Sequence, residues 1–505
     1  MNNVAVKRTS AAKKAPRPRP AKERPHQDSA DHKTGVRVRM YRVGLGDCFL
    51  LTSYLEEKPA HMLIDCGMFA GSRLDPEVAE KDLQKKIVES IKQETGGKLD
   101  VVVVTHEHMD HVSIFNSAKD VFDEIEFENV WFGWVEDPTN DLATALRKKY
   151  EKLQDALQTA LASLQRLASA DPDEYSALHQ GVAQIAQFAG LEADGSFTGS
   201  GEPGALGAAK AVAAQPREAI DYVKGKVAKG NIQYGSPGGI WSFGGLKVYV
   251  LGPPASEQQL RIMERAGATY DKALMLGLDE ALESGSEVPT PFATTWGHSV
   301  SVQDGKLNVP DAYGDIDTSA MLDRYNDPLQ SWRQIDDMML ESSATLALQM
   351  DKYINNTSLV LAFELPNQDV LLFPGDAQVG NWDSWSAIKD FDSDDLIKRT
   401  VFYKVGHHGS HNATLKPALE KMTNSKLVAM IPTNEWFARK SKHWIMPAPI
   451  LYQTLEKHTA GRVLRNDQGK NDVPDPVVDR KDVHWDGLDE NVKADDLFID
   501  YFVRG

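Results

Sequence analysis

Residues 101–111 read VVVVTHEHMDH, and this stretch limits the possible fold more than any other. Four consecutive valines suit a strand buried on both faces, the near-continuous apolar kind found where helices cover both sides of a sheet. Three histidines, a glutamate and an aspartate then follow within seven residues. Side chains alternate between faces in an extended chain, so His106 and His108 project together while Glu107 points elsewhere. Two imidazoles on one side of a rigid strand end make the start of a metal site. As the chain turns, Asp110 and His111 can swing round to add an oxygen and a nitrogen. Together they give four ligand-type groups within six residues, enough for parts of two adjacent ions.

The flanking sequence keeps the same strand rhythm. VRVRMYRVGLGDCFLLTSY (36–54) and HMLIDCG (61–67) alternate or run apolar between glycine breaks, the pattern of a β-hairpin. A helix is expected over 80–93, and EIEFENVWFGW (124–134) reads as a further strand. Residues 36–136 thus form the first half of a domain. From 137 to 237 the apolar spacing turns helical, beginning with DLATALRKKYEKLQDALQTALASLQRLA, and reads as an inserted helical lobe. Core strands resume over 238–254 (GGIWSFGGLKVYVLGPP). A second insertion, 255–350, is helical at first and then loop-like around TTWGHSVSVQDGKLNVPDAYGD. The second half, 351–505, carries four more apolar strands in NNTSLVLAFEL, QDVLLFPGDA, TVFYKVGHHGS and KLVAMIPTN. The expected architecture is α/β, two β-rich halves with helices between strands.

Charge is distributed unevenly. The 505-residue chain has a net charge of −17, yet residues 1–35 hold nine Lys/Arg against three acids, which leaves the remainder at about −23. That basic segment, rich in Pro, Lys, Arg and Ala, reads as a disordered tail. The acidic body would repel a long phosphate polymer unless cations offset its field locally. No run reaches the roughly 18 apolar residues of a membrane span, and no apolar stretch follows the basic start as in a secretory signal. The only cysteines are Cys48 and Cys66. Two thiols cannot staple a chain of this length, so a reducing compartment is expected and the cytoplasm is the default.

THEHMDH resembles the metal-binding signature of the metallo-β-lactamase superfamily, whose fold is an αββα sandwich. The other pieces occur in order. Asp65 in LIDCG resembles the early aspartate that supports the site, Asp376 in FPGDA the bridging aspartate, and KVGHHGSH (404–411) the last histidine motif. VGLGDCFLL, LIDCG, THEHMDH, VLGPP, NNTSLVL, LLFPGDA, KVGHHGS and KHWIMPAP echo the soluble hydrolase domain of ComEC-type DNA-uptake competence proteins. This likeness spans roughly 36–135, 238–254 and 350–470, and includes neither insertion nor any transmembrane channel. It implies a metallo-β-lactamase-like sandwich with two largely helical insertions and two divalent ions, zinc or manganese. His106 and His108 would hold one ion. Asp110 and His111, with one of His407 and His408, would hold the second, and Asp376 would bridge. Similarity to H-x-G-[ST] endings favours His407 as the ligand, leaving His408 to face substrate beside Ser410.

One departure stands out. Where most members of the superfamily carry a histidine, YINNTSLVL offers Asn355 and Asn356. Asparagine is a poor zinc ligand but acceptable to Mn²⁺ or Mg²⁺, which prefer oxygen. His298 in WGHSV is a conceivable substitute, although a loop histidine commonly has no such role.

The resemblance implies hydrolysis by a metal-activated water. Asp110 would orient or deprotonate that water where a single ion is bound. His408, Ser410 and His443 would donate hydrogen bonds to a phosphate oxygen. GLGD (44–47) would either cradle a phosphate through backbone N–H groups or simply make a tight turn. The leading expectation is a phosphodiesterase or nuclease acting on nucleic acid or a nucleotide. The rivals are a metallo-hydrolase of an ester, lactone or amide, and a catalytically weak binding module that meets a protein partner through its helical lobe.

Overall fold

The structure, a computed structural model, describes residues 34–170, 172–191, 215–262, 301–303, 306–308, 346–348, 350–412, 414–468 and 491–505. The basic tail over 1–33, His298 and most of the second insertion lie outside these residues. Two sheets dominate. In chain order the first contains β1 (Gly35–Tyr41), β2 (Cys48–Ser53), β3 (Ala60–Cys66), β4 (Lys98–Val103), β5 (Glu126–Gly133) and β6 (Ile232–Gly235). The second contains β7 (Ile240–Phe243), β8 (Leu246–Gly252), β9 (Val360–Glu364), β10 (Val370–Phe373), β11 (Thr400–Lys404), β12 (Val428–Ile431) and β13 (Val463–Arg465). The chain then returns to the first sheet with β14 (Val492–Ala494) and β15 (Phe498–Arg504). Strand order is β14-β15-β1-β2-β3-β4-β5-β6 in one sheet and β13-β12-β11-β10-β9-β8-β7 in the other.

The sheets pack face to face with helices outside. Alternation sorts the side chains: Val101 and Val103 of β4 point between the sheets with Val36, Phe49, Ile64, Phe363 and Phe373, while Val102 points outward among Ile87, Ile91, Val112 and Phe115. Those last four lie on α1 (Glu80–Thr95) and α2 (Met109–Ser117). The valine run is therefore buried on both faces, which explains its lack of polar positions. On the far side, Leu372, Tyr403 and Ala429 meet Leu451 and Leu455 of a C-terminal helix, Pro449–Thr459. The order of layers is helix, sheet, sheet, helix, the sandwich that the resemblance implied.

Four features depart from the sequence reading. The segment expected as one hairpin is a three-stranded meander, β1 to β3, with antiparallel pairing throughout. Not all of 137–237 is lobe: α3 (Asp141–Ala170) and α4 (Pro172–Ala186) build a separate core, but α5 (Gln215–Gly225) covers the first sheet through Ala219, Ile220 and Val223. β6 then pairs in parallel beside β5. The far C-terminus leaves the second half altogether, because β15 runs antiparallel to β1 from Gly35↔Arg504 to Tyr41↔Phe498. The stretch expected as loop also contains a short antiparallel pair, Ser301–Gln303 with Lys306–Asn308. No helix among the described residues is long and apolar enough to cross a membrane.

Candidate metal centre

The chemistry-bearing residues gather where parallel strands of both sheets end. β3 ends at Asp65-Cys66, and β4 leads through Thr105 to His106. His108 precedes α2, whose first turn contains Asp110 and His111. From the second sheet, β10 leads to Asp376 and β11 ends at Lys404, just before His407 and His408. The backbones approach so closely that two glycines are obligatory. A Cβ on Gly67 would lie 2.3 Å from the Asp110 carbonyl carbon, and Gly375, at φ +57°, would press on Ser358 and Thr105.

Each imidazole is held by its outer nitrogen. His111 Nδ1–H donates to Asp65 Oδ2 at 2.8 Å, and His408 Nδ1–H to the Pro432 carbonyl at 2.7 Å. His106 Nδ1 lies 3.0 Å from the Thr105 hydroxyl, which itself donates to Asp65 Oδ2 at 2.6 Å. Asp65 also accepts the Thr105 N–H at 2.7 Å. Its carboxylate is consumed by these bonds, in keeping with a supporting role for which it adopts a left-handed backbone, φ 55°. Anchoring one nitrogen fixes the tautomer and frees the other to act as a donor atom.

The free atoms converge. Asp110, His111, Asp376 and His408 can each place one ligand atom within 4.8 Å of the others. His408 Nε2 is 2.7 Å from Asp110 Oδ2, while His111 Nε2 is 3.6 Å from Asp110 Oδ2 and 3.2 Å from Asp376 Oδ2. His106 Nε2 faces His108 Nδ1 at 3.2 Å. Donors at about 2.0–2.1 Å around one tetrahedral ion sit about 3.3 Å apart, so the spacings among Asp110, His111, Asp376 and His408 suit a shared cation, whereas neither group of possible ligands among the described residues includes His106 or His108. Asp110 Oδ1, His111 Nε2 and Asp376 Oδ2 are buried without a hydrogen-bond partner. Native interiors rarely tolerate such atoms unless an ion or water meets them. The donor set therefore fits divalent metal.

The other group able to hold a metal, Asp47, Asp65 and His111, is better described as scaffolding. Asp65 is saturated, and Asp47 pairs with the Lys404 ammonium.

Of the histidine pair, the structure brings His408 and not His407 into this group of possible ligands. After Gly406 the chain runs through three left-handed residues, His407 (φ 44°), His408 (φ 53°) and Gly409 (φ 78°), so strand parity no longer tells which imidazole faces in. His408 joins the cluster. His407 instead gives its backbone N–H to Asp376 Oδ1 at 2.8 Å, and its Nδ1 lies 3.0 Å from the Ser410 hydroxyl. Ser410 also donates to Asn412 Oδ1 at 2.8 Å.

Electrostatics follow from burial and crowding. Burial holds His106 well below the usual imidazole range, lowers His108 to about 4 and lowers His407 to about 3, which keeps all three neutral, the ligating form. Burial opposes a proton on His111 too, but the carboxylates of Asp376, Asp47, Asp110 and Asp65 outweigh it and raise this imidazole well above its ordinary value. Asp376 is pushed up by burial, yet Lys404 and His111 prevail and hold it well below the carboxylate range. The Lys404 ammonium reaches Asp376 Oδ1 at 3.0 Å and the Gly375 carbonyl at 2.9 Å.

Lys404, Asp47 and Asp351 were missed in the sequence. Lys404 and Asp47 lie inside recognised motifs as ordinary-looking charges, and Asp351 has no motif at all. Asp351 and Asn355 stand one turn apart in the helical stretch 350–356. Asp351 Oδ1 is 3.9 Å from His108 Nε2, Asn355 Nδ2 donates to Asp351 Oδ2 at 3.3 Å, and Oδ1 of each residue is buried and unpartnered. Burial, reinforced by Asp110, pushes the Asp351 carboxyl up to about 8. Asn356 is excluded as a donor to metal. Its Oδ1 accepts the N–H groups of Gln378 and Asn381, and its Nδ2 donates to the carbonyls of Leu260 and Ile262.

GLGD proves to be a packed turn. The Leu45 N–H is bound by Ser72 Oγ and the Asp47 N–H by the Asp110 carbonyl, so neither is open to a phosphate. His443 is exposed, at φ 59°, outside the cluster.

No curated protein matches the chain. Residues 42–124, from the end of β1 to the turn before β5, match the family model of the metallo-beta-lactamase superfamily, and the two-sheet α/β architecture around them is a metallo-β-lactamase-like fold.

Proposed function

We propose that this protein is a metal-dependent phosphodiesterase that acts on nucleic acid or nucleotides. The coarser part, a metal-dependent hydrolase, follows from a metallo-β-lactamase domain with a buried His/Asp cluster able to take metal. The observation that carries the reading is the convergence of unpartnered Asp110 Oδ1, His111 Nε2 and Asp376 Oδ2 at the meeting point of two sheets. The phosphodiester part rests on the ComEC-like wording of the motifs.

In this reading Asp110, His111, His408 and Asp376 would hold one divalent ion, and His106 and His108 would supply imidazoles to a second. His408 thus replaces His407 as the ligand, because its Nε2 and not that of His407 belongs to the cluster. Such ions acidify a water and offset negative charge on the attacked centre. Asp110 Oδ1, which no protein group occupies, orients that water and can accept its proton. Lys404 holds Asp376 well below the carboxylate range and pairs with Asp47, whose carboxyl burial still pushes up to about 6. His407 and Ser410, at the rim of the cluster, would donate hydrogen bonds to a phosphate oxygen. Zinc and manganese both remain candidates, the Asn355 oxygen favouring manganese on the His108 side.

The test compares Mn²⁺- and Zn²⁺-supplemented turnover of bis-p-nitrophenyl phosphate with that of a lactone and thioester panel. His108→Ala and Asp376→Asn should each abolish the diesterase activity with circular dichroism unchanged. Undiminished turnover in either variant, or preference for the carboxylic substrates, counts against the assignment.

A further inference from the structure

Residues 465–468 read Arg-Asn-Asp-Gln, a run without one apolar side chain, and all four are buried. β12 and β13 run parallel with Ile431 opposite Arg465, so the two strands end side by side. The segment that follows β12 supplies the Pro432 carbonyl, which anchors His408 Nδ1–H at 2.7 Å. The polar run after β13 grips that segment at two further points. Asn466 Oδ1 accepts the Thr433 N–H at 2.9 Å, and Asp467 Oδ2 accepts the Glu435 N–H at 2.8 Å. Arg465 locks the grip. Its Nε and Nη2 clasp the two oxygens of Asp467 at 3.0 and 2.8 Å, and Nη2 also donates to Glu435 Oε2 at 2.8 Å.

The same run reaches the first sheet. Arg42, just past β1, donates from Nε to the Asn466 carbonyl at 2.8 Å, and Asn466 Nδ2 donates to the Gly44 carbonyl at 2.7 Å. Gly44 opens the turn that ends at Asp47, the partner of Lys404. Arg465, Asp467 and Glu435 are all 0 % exposed. Apolar side chains of similar volume often stabilise a buried site at least as well as such charges. What they cannot do is fix the direction of a neighbouring backbone carbonyl, which a two-pronged guanidinium–carboxylate contact does.

We propose that Arg465 and Asp467 are positioning residues for the metal centre, holding residues 432–435 so that the Pro432 carbonyl aims His408 Nε2 at a bound cation. The assignment rests on the metal-binding part of the proposed function and not on the nature of the substrate. Neither residue belongs to the group of possible ligands. Each acts through the backbone it holds, two hydrogen bonds removed from the imidazole. A clasp that served stability alone would leave His408 indifferent to its loss, and the experiment separates the two.

The experiment measures the Mn²⁺ affinity of the full-length protein by competition with a chelating fluorophore, well below the melting temperature of every variant. Asp467→Ala should weaken Mn²⁺ about 10- to 100-fold, the loss typical of partners that orient a ligand. Asp467→Asn, which keeps the shape and one acceptor, should recover part of that loss. Arg465→Lys keeps the charge without the fork and should also bind more weakly than the parent. These two milder variants carry the test if the alanine variant does not fold. Phe363→Ala, a core truncation in the middle of β9, should lower the melting temperature and leave Mn²⁺ affinity unchanged. In a His408→Ala background, Asp467→Ala should weaken Mn²⁺ less than twofold further, because the residue it acts through is gone. Parent-like affinity in the Asp467 and Arg465 variants overturns the assignment, as does an equal loss with and without His408. So does a loss in Phe363→Ala as large as that in Asp467→Ala. Those outcomes leave the metal centre standing, whereas a parent that binds no Mn²⁺ overturns the centre and the clasp together. Affinities that fall as expected while no diester is hydrolysed sink the catalytic reading and leave the clasp in place.

Discussion

At the scale of the residue, the decisive question is which of two adjacent histidines completes the cluster. His408 directs Nε2 at Asp110 with its other nitrogen fixed on the Pro432 carbonyl, whereas His407 leans on Ser410 and Gln378. On the proposed reading, removing His408 would delete a ligand, and removing His407 would delete a neighbour of substrate. Metal analysis of the purified variants should find His408→Ala short by one equivalent and His407→Ala fully loaded but slow. The reverse stoichiometry would restore the order favoured by the motif wording. The four groups of THEHMDH were legible because the strand and the helix start that carry them are local structures. The choice at 407/408 was not legible, because three successive left-handed residues erase strand alternation and only their long-range partners reveal the result. Lys404 was hidden for a related reason: a buried lysine is recognisable only once the carboxylates around it have been assembled by the fold.

Among the elements, the helical stretch 350–356 has the least expected role. Met350 and Ile354 pack into the core that Tyr150, Leu157 and Leu161 of α3 share with Val182 and Ala183 of α4. The adjoining face carries Asp351 and Asn355 towards His108. The first insertion thus buttresses a wall of the site, a link that no motif could reveal because it joins segments about 200 residues apart. Asp351 Oδ1 lies beside His108 Nε2 at 3.9 Å, a looser contact than the 2.8 Å bond by which Asp65 holds His111. Asp351→Ala should accordingly lower metal affinity about 10- to 100-fold, measured by chelator competition, with Asp351→Glu recovering part of the loss. An unaltered affinity would make the helix a mere spacer. Between the sheets, Phe373 meets Phe49, Phe363 and Phe402 at centroid distances of 5.8, 5.6 and 5.3 Å. Phe373→Ala should cost about 3–5 kcal/mol of stability by denaturant unfolding, and a loss below about 1 kcal/mol would contradict so dense a core.

At the scale of the whole molecule, the metal centre and the sandwich depend on each other. The alternating strands and the valine run made the layers legible, but β15 beside β1 and β6 beside β5 close the first sheet with pieces the sequence reading had placed elsewhere. Those pairings hold β1 to β4 in place, and β4 delivers His106. The second sheet separately delivers Asp376 and His408, so the cluster bridges the two layers. Without a cation it collects carboxylates that must be offset by Lys404 and a proton on His111. A cation bound to this arrangement and not to the unfolded chain stabilises the fold by about 2.7 kcal/mol at a free concentration 100 times its dissociation constant. Chelation should therefore lower the melting temperature by several degrees, and Mn²⁺ or Zn²⁺ should restore it. Asp376→Asn should melt at one temperature with or without metal, because on the proposed reading it would remove a carboxylate on which metal binding depends. If the parent protein melted identically in chelator and in metal, the two sheets would be held by their core alone and the cluster would not be a metal centre.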